Sequence, residues 1–172
     1  DDGTGKKGHW RLTGDKWFCS HADGELVMIL ARPEGAPEGS RGLGLFVMPR
    51  YLENGEKNSY TIIRLKDKLG TRSMASGEVH LDGAIAYPLG DLENGFKNML
   101  DQVNLSRLSH GVRAAAMMRR CLNESLAVAH TRSAFKQRLI DMPLVRRQLL
   151  KIMVPTEQSL TMWGATAQAL DK

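Results

Sequence analysis

Apolar and polar positions alternate over short stretches in the first half of the chain, and turn residues separate these stretches. The apolar runs end at Gly, Pro or Asn-Gly pairs, and the strands predicted from them are 25–31, 44–48, 60–65 and 77–87. A hairpin is also predicted over 9–20, with its turn at Thr13-Gly14-Asp15. Because no helical periodicity separates the strands, the pattern indicates an antiparallel barrel or sandwich.

After Gly90 the apolar residues recur in steps of three and four, which predicts helices. One long amphipathic helix is predicted over 93–131, a stretch without Pro. A second helix is predicted to begin after Asp141 with Pro143 in its first turn, and Pro155 is expected to kink or split it. Two such helices cannot bury all of their apolar faces, so we expect further helices or another subunit to cover them.

The chain of 172 residues is 42% hydrophobic and 25% charged, which is typical of a globular protein and excludes disorder by composition. No apolar run is long enough for a membrane-spanning helix, so no membrane partner is expected. The predicted fold class is α+β: an antiparallel β-barrel or sandwich domain over 1–90, then the long antiparallel helices of an incomplete bundle over 91–172. Because the sequence begins at Asp1 without Met, we expect a piece of a longer chain.

Charge is unevenly distributed along the sequence, whose net charge is +5. Residues 105–151 contain ten Lys and Arg but two Asp and Glu, a net of +8, so the remaining residues sum to −3. A basic segment of this kind suggests an anionic partner such as phosphate, nucleotide or nucleic acid. Solvated helix faces, with some Arg side chains bonded to their own chain, are an equally good interpretation.

Two cysteines and an aromatic pair are the first candidates for chemistry. Cys19 and Cys121 are predicted to be free, buried thiols in a reducing compartment, and no metal site is predicted because the histidines lack metal-ligand spacing. The stretch Trp17-Phe18-Cys19-Ser20 places aromatic rings beside a hydroxyl, which could hold a flat heteroaromatic cofactor. A pair of core aromatic residues is the competing interpretation.

Two groups of residues in the second half could contact phosphates. Arg132 and Phe135 follow the long helix, and a guanidinium next to an aromatic ring could bind pyrophosphate and an adenine-type ring. Arg107 lies within the helix, with Asn104 one turn before it. For Arg107 a structural ion pair and a phosphate contact are both open, and for Arg132 an ordinary solvated side chain is the alternative.

Four motifs, taken in order, resemble those of one known family. They are Leu12-Thr13-Gly14-Asp15-Lys16-Trp17-Phe18-Cys19-Ser20, residues 68–79 (KLGTRSMASGEV), Gly95-Phe96-Lys97, and Arg132-x-x-Phe135. Their order and spacing resemble the acyl-CoA dehydrogenase superfamily, with the middle β-domain and the start of the C-terminal helical domain represented. The sequences of residues 46–52, 64–70, 116–120 and 141–146 are similar to those of the AidB-like, adaptive-response branch.

The resemblance implies an FAD-dependent oxidoreductase that dehydrogenates an acyl-CoA thioester between its α and β carbons, with hydride transfer to flavin N5. Phe18, Cys19 and Ser20 would line the flavin. Arg132 and Phe135 would reach the FAD pyrophosphate and adenine of a neighbouring subunit, which implies a homodimer or homotetramer. Electron-transfer flavoprotein or oxygen would accept the electrons, and the protein would be cytoplasmic.

The resemblance also assigns a substrate contact and leaves the catalytic base unassigned. Arg107 and Asn104 align with residues that contact substrate or CoA, although many members have Asp where Asn104 stands. Lys136 occupies a position at which Gly is common, so a helix terminator is lost there. No catalytic residue is predicted, because the family's usual carboxylate would lie outside this sequence. The alternative function is an AidB-like flavoprotein that binds and protects DNA with little dehydrogenase activity.

Overall fold

The computed structural model describes residues 8–171, and its fold is α+β as predicted. Five strands form one antiparallel sheet, curled into a half-barrel, in the order β1-β5-β3-β2 with β4 also paired to β5. The strands are β1 (Trp10–Cys19), β2 (Leu26–Ala31), β3 (Gly44–Pro49), β4 (Tyr60–Leu65) and β5 (Gly77–Pro88). β5 is therefore the central strand, bonded to three neighbours.

The predicted hairpin over 9–20 is wrong, because β1 is a single continuous strand. It pairs with β5 from Trp10 opposite Ala86 to Cys19 opposite Gly77, so the backbone around Gly14 bonds to β5 instead of turning. The irregularity that looked like a turn is a bulge, in which Gly83 of β5 is an extra residue between two paired positions. The other four predicted strands are confirmed with bounds shifted by one residue at most.

The bulge at Gly83 decides which residues of β5 face the core. Before the bulge Val79 and Leu81 are buried, whereas after it Ala84 and Ala86 are buried, so the inward positions change from odd to even numbers. Gly83 has a φ of +69°, a conformation that side chains with a Cβ rarely adopt. The buried residues of this core are Leu12, Ala22, Ile29, Phe46, Met48, Tyr60, Val79, Leu81, Ala84 and Ala86.

Two long helices follow the sheet, as predicted: α1 (Gly95–Thr131) and α2 (Pro143–Leu170). A short hairpin of β6 (Ser133–Ala134) and β7 (Gln137–Arg138) lies between them. α2 is continuous through Pro155, so the helix is not split there, and the kink given as the alternative stays a prediction. Proline removes only one backbone donor, and the buried side chain of Thr156 donates a 2.7 Å hydrogen bond to the Ile152 carbonyl in the same turn.

The helices pack antiparallel along a seam with seven-residue spacing. On α1 the buried residues are Ala115, Leu122 and Ala129, and on α2 they are Leu149 and Thr156. Seven residues make about two helical turns, so each set lies on one face of its helix. The side chains of Arg119 and Glu157 form an ion pair of 2.6 Å beside this seam.

The chain divides into two compact units, residues 1–101 and residues 102–172. The sheet and the first turns of α1 belong to the first unit, and the remainder of α1, the hairpin and α2 belong to the second. The domain boundary after residue 90 stays a prediction. None of the helices within residues 8–171 combines the length and the apolar character needed to cross a membrane.

Candidate functional site

An exposed aromatic pair lies near the end of β1. Between Lys16 and Cys19 the pairing with β5 slips by one residue, so Trp17 and Phe18 lie opposite the single residue Glu78. A bulge of this kind redirects side chains away from the regular alternation of a strand. Trp17 is 69% exposed and Phe18 is 59% exposed, so these two residues are not a core pair. Large aromatic surface left in solvent indicates a binding surface.

A charge cluster, two of whose three members are largely buried, lies against the aromatic pair. The Lys66 ammonium is 3.4 Å from the centroid of the Trp17 ring and 5.4 Å from that of Phe18. The same ammonium donates a 2.6 Å hydrogen bond to Glu78 Oε1, and Arg64 Nε lies 2.8 Å from that oxygen. Because the Lys66 and Glu78 side chains are largely buried, the ammonium is held in place against the Trp17 ring.

The pKa of Glu78 is lowered below the usual glutamate value of 4.5 by the hydrogen bond from Lys66, and Arg64 acts in the same direction against the opposing effect of burial. A carboxyl whose pKa is lower in the folded state stabilises the fold above its unfolded pKa, and that stabilisation is lost as the pH falls through the folded value.

We therefore expect Glu78→Gln to lower the thermal unfolding midpoint at neutral pH, with a difference from wild type that shrinks as the pH is lowered below about 4.5. Thermal unfolding followed by circular dichroism over a series of pH values measures this. Glu56→Gln, in an exposed turn, is the matched control. A difference between Glu78→Gln and wild type that is independent of pH would contradict the assignment.

Ser20 and Cys19 follow the aromatic pair at the end of β1. The Ser20 carbonyl accepts a 3.3 Å hydrogen bond from Ser76 Oγ, which in turn accepts a 2.9 Å bond from Lys68 Nζ, so the 66–76 loop anchors this end of the strand. The Ser20 side chain is exposed, and within residues 8–171 no hydrogen bond engages its hydroxyl. This hydroxyl is therefore available to a ligand.

Both cysteines are free thiols. Cys19 is half-buried, and burial raises the pKa of its thiol, while Lys16 partly opposes this effect. The thiol of Cys19 is thus protonated at neutral pH. Cys121 is exposed, so the prediction that it is buried is wrong. Its position on α1 places it off the face that contains Leu122, a difference of one residue that helical periodicity alone did not resolve.

Arg132 and Phe135 lie on the hairpin between the helices. The Leu139 N–H donates a 3.0 Å hydrogen bond to the Arg132 carbonyl, which closes the base of this hairpin. Phe135 and Lys136 form its two-residue tip, and the Phe135 side chain is 92% exposed. Arg132 is also exposed, and in the part of the chain that the structure describes its guanidinium has no carboxylate partner. The structure thus brings an exposed ring and an unpaired guanidinium onto one short element.

Asn104 and Arg107 line a cleft of about 720 Å³ between α1 and α2. Its walls are mainly apolar, and Trp163 contributes a buried indole N–H that has no hydrogen-bond partner among the described residues. Arg107 forms no ion pair within residues 8–171, so the structural ion pair considered for it is not found there. No carboxylate lines this cleft in the described part of the chain.

The predicted site residues therefore fall into three groups. Phe18, Cys19 and Ser20 lie together at the end of β1, whereas the Arg132 hairpin and the cleft at Arg107 belong to the second unit. The Lys66–Glu78 pair was not predicted, because nothing in the sequence pairs Lys66, just after β4, with Glu78 of β5. Within residues 8–171 no cluster of His, Cys, Asp and Glu could hold a metal ion.

The residues at the end of β1 have the chemical groups that a flavin ring needs for binding. An isoalloxazine is flat and apolar on its faces, with hydrogen-bonding atoms on its edge. The exposed Phe18 ring offers a face, and the Ser20 hydroxyl offers a donor that no residue in the described part of the chain occupies. FAD is therefore compatible with these residues.

Comparison with known proteins gives consistent similarities. The family model described as acyl-CoA dehydrogenase, C-terminal domain, matches residues 93–172. The putative acyl-CoA dehydrogenase AidB of Escherichia coli is 35% identical over 165 residues, which cover 96% of this chain and 29% of that protein. Acyl-CoA dehydrogenase family member 11 of Caenorhabditis elegans is 35% identical over 168 residues, covering 95% of this chain and 27% of that protein.

A solved structure agrees with these sequence matches. The crystal structure of Caenorhabditis elegans ACDH-11 in complex with C11-CoA superposes with a TM-score of 0.80 at 35% identity, over 91% of this chain and 27% of that one. The chain thus spans less than a third of the length of these two curated relatives. Sequence motifs, fold and relatives all agree, and the chain belongs to the acyl-CoA dehydrogenase family.

Proposed function

We propose that this chain forms part of an FAD-dependent acyl-CoA dehydrogenase, which oxidises the bond between the α and β carbons of an acyl-CoA thioester. The observation that supports it is the exposed pair of Trp17 and Phe18, presented by a bulge of β1 beside the Ser20 hydroxyl. When bound, FAD supplies the oxidising group that accepts a hydride from the acyl chain.

At the flavin, the chain supplies a face and an edge. The Phe18 ring packs on the isoalloxazine, and the Ser20 hydroxyl donates a hydrogen bond to a heteroatom of its edge, with Cys19 between them. The protonated thiol of Cys19 adds no charge to this surface. Because Lys66 holds the Trp17 ring on the neighbouring position of the bulge, the aromatic surface is preorganised before any ligand binds.

At the adenine end, Arg132 and Phe135 contact the FAD pyrophosphate and adenine of a neighbouring subunit. A guanidinium binds phosphate oxygens through charge-assisted hydrogen bonds, and an exposed phenyl ring stacks on a base. Such an intersubunit contact requires side chains that are exposed on their own chain, and both Arg132 and Phe135 are exposed. Assembly as a homodimer or homotetramer follows from this proposal.

The cleft between α1 and α2 is proposed to receive part of the acyl-CoA. Its apolar walls suit a hydrocarbon, and Arg107 supplies a cation for a phosphate or thioester oxygen. Asn104 offers an amide in place of a carboxylate, so it does not compete with the phosphates for Arg107. Support for this ligand class comes from the related ACDH-11, which was crystallised with C11-CoA.

DNA binding, the alternative function, depends on the basic segment 105–151. Three of its cations are paired with carboxylates, in Arg119–Glu157, Arg120–Glu124 and Arg138–Asp141. No observation in the structure favours this function over dehydrogenation. Electron-transfer flavoprotein or oxygen as the acceptor and a cytoplasmic location also stay predictions.

Loss of the Phe18 ring is expected to weaken FAD binding about tenfold, because stacking on an exposed ring contributes about that much affinity. The measurement is the flavin absorbance retained by wild type and by Phe18→Ala after passage through a desalting column, together with a fluorescence titration. Leu26→Ala is the matched control, since Leu26 is 70% exposed on β2 of the same sheet.

Equal retention of flavin by Phe18→Ala and Leu26→Ala would remove the aromatic pair from the proposal. No retention of flavin by the wild-type chain at all would overturn the proposal that the end of β1 in this chain binds a flavin.

A further inference from the structure

The tip of the hairpin between the two helices has a strained backbone. Phe135 has a φ of +49° and Lys136 a φ of +64°, so two consecutive residues with a Cβ occupy the left-handed region. A two-residue hairpin with a type I′ turn requires positive φ at both positions, and Asn-Gly or Gly-Gly usually meets this requirement. A phenylalanine followed by a lysine therefore makes the hairpin less stable than the common sequences would.

Packing does not account for this strain. The Phe135 side chain is 92% exposed and the Lys136 side chain is also exposed. In residues 8–171 neither side chain has a hydrogen bond, ion pair or ring contact. Strain that brings no internal contact is typical of a functional position.

Two of the three cations on the hairpin, Arg132 and Lys136, are also unpaired within residues 8–171. Arg138 donates to Asp141 at 3.0 Å, and Asp141 is the only acidic residue between 125 and 156. Within residues 125–156, therefore, no carboxylate is left to pair with Arg132 or Lys136. The hairpin presents two cations and an aromatic ring, which is the combination that recognises phosphates attached to a base.

We infer that Lys136 is a second phosphate-binding cation of this hairpin, which with Arg132 and the exposed Phe135 ring holds a nucleoside diphosphate. The inference rests on the proposed function, where that group is the ADP half of FAD. It assigns a role to Lys136, for which the family resemblance provides none. Glycine at position 136 would relieve the strain of the left-handed backbone, but glycine has no ammonium to bind a phosphate.

The test uses two effects of opposite sign in one variant. Lys136→Gly relieves the left-handed strain, so the unfolding midpoint is expected to rise by about 2–4 °C. The same variant loses a cation, so its affinity for ADP is expected to fall by about fivefold to tenfold at low salt. Calorimetric titration with ADP and thermal unfolding of the full 172-residue chain measure the two effects. A residue with a purely structural role would change stability without changing ADP affinity.

Two further variants separate charge from backbone. Lys136→Arg keeps the cation and is expected to bind ADP within about twofold of wild type. Lys151→Ala removes an exposed cation of α2 in the same unit and is expected to leave ADP affinity unchanged. ADP binding that is equal in wild type and Lys136→Gly, or equally weakened in Lys136→Gly and Lys151→Ala, would overturn the inference, as would no ADP binding by the wild-type chain.

Riboflavin distinguishes this inference from the proposed function, because riboflavin has the isoalloxazine without the ADP. Lys136→Gly is expected to weaken ADP and FAD but not riboflavin, whereas Phe18→Ala is expected to weaken FAD and riboflavin but not ADP. If Phe18→Ala weakens FAD while Lys136→Gly has no effect on any ligand, the proposed function stands and the role of Lys136 is rejected.

Discussion

Replacement of Gly95 by alanine is expected to destabilise the protein by about 3 kcal/mol, the upper part of the range for overpacked positions. Gly95 begins α1 and is buried against the start of β3. A Cβ at this position would lie 2.5 Å from the Leu43 carbonyl oxygen, and closer still to the backbone of Gly44 and Leu45. Because all three contacts are with backbone, no side chain can move aside, and the first turn of the helix must separate from the strand.

Urea unfolding of Gly95→Ala, followed by circular dichroism, measures this effect. Gly164→Ala is the matched control, since Gly164 is an exposed position within α2 and nothing lies within 4 Å of a Cβ there. The same change should stabilise the helix at that position by about 1 kcal/mol or less, because alanine loses less backbone entropy than glycine. If both variants shift the midpoint in the same direction, the close approach of α1 to β3 is wrong.

Replacement of Asn58 by leucine is expected to destabilise the protein by about 4 kcal/mol, because several buried backbone groups lose their partner at once. The side chain is 3% exposed. Its Nδ2 donates to the carbonyls of Pro49 and Ile85, and its Oδ1 accepts from the N–H groups of Ile85 and Ser59, all at 2.8 Å. One amide therefore joins the end of β3, the start of β4 and the middle of β5.

The matched control for Asn58→Leu is Asn54→Leu. Asn54 makes two hydrogen bonds with Glu56, but both are in an exposed turn where water can replace them. Its replacement is expected to change stability by less than about 1 kcal/mol. Chemical unfolding of both variants, with amide hydrogen exchange at Ile85, gives the comparison. Equal effects of the two replacements would show that the Asn58 bonds contribute no more than those of a surface turn.

Most of the sheet could be predicted because the signals that define it are local. The predicted strands from 44 to 48 and from 77 to 87 are each followed by a proline, so their ends follow from neighbouring positions. The hairpin at Gly14 was wrong for the opposite reason. A glycine between polar residues is compatible with a turn or with a bulge, and only the partner strand, more than 60 residues away, decides between them.

The candidate site shows the same division. Phe18, Ser20, Arg132 and Phe135 were predicted as site residues from short motifs, because each motif holds its chemistry within a few residues. Lys66 had no such motif, since its partners Trp17 and Glu78 are brought to it by two bulged strand pairings. The exposure of the aromatic pair could not be read from composition either, because the residues that would bury it need not be neighbours in sequence.

The sequence by itself determined the α+β order of elements, the family, and the residue types of the proposed flavin, phosphate and acyl-CoA contacts. These features depend on periodicity, turn residues and motifs, which act over a few residues. The tertiary structure alone decided the bulges that turn Trp17 and Phe18 outward, the position of the Lys66 ammonium over the Trp17 ring, and the left-handed tip at Lys136. Each of these depends on hydrogen bonds or sterics between residues whose contact exists only once the chain has folded.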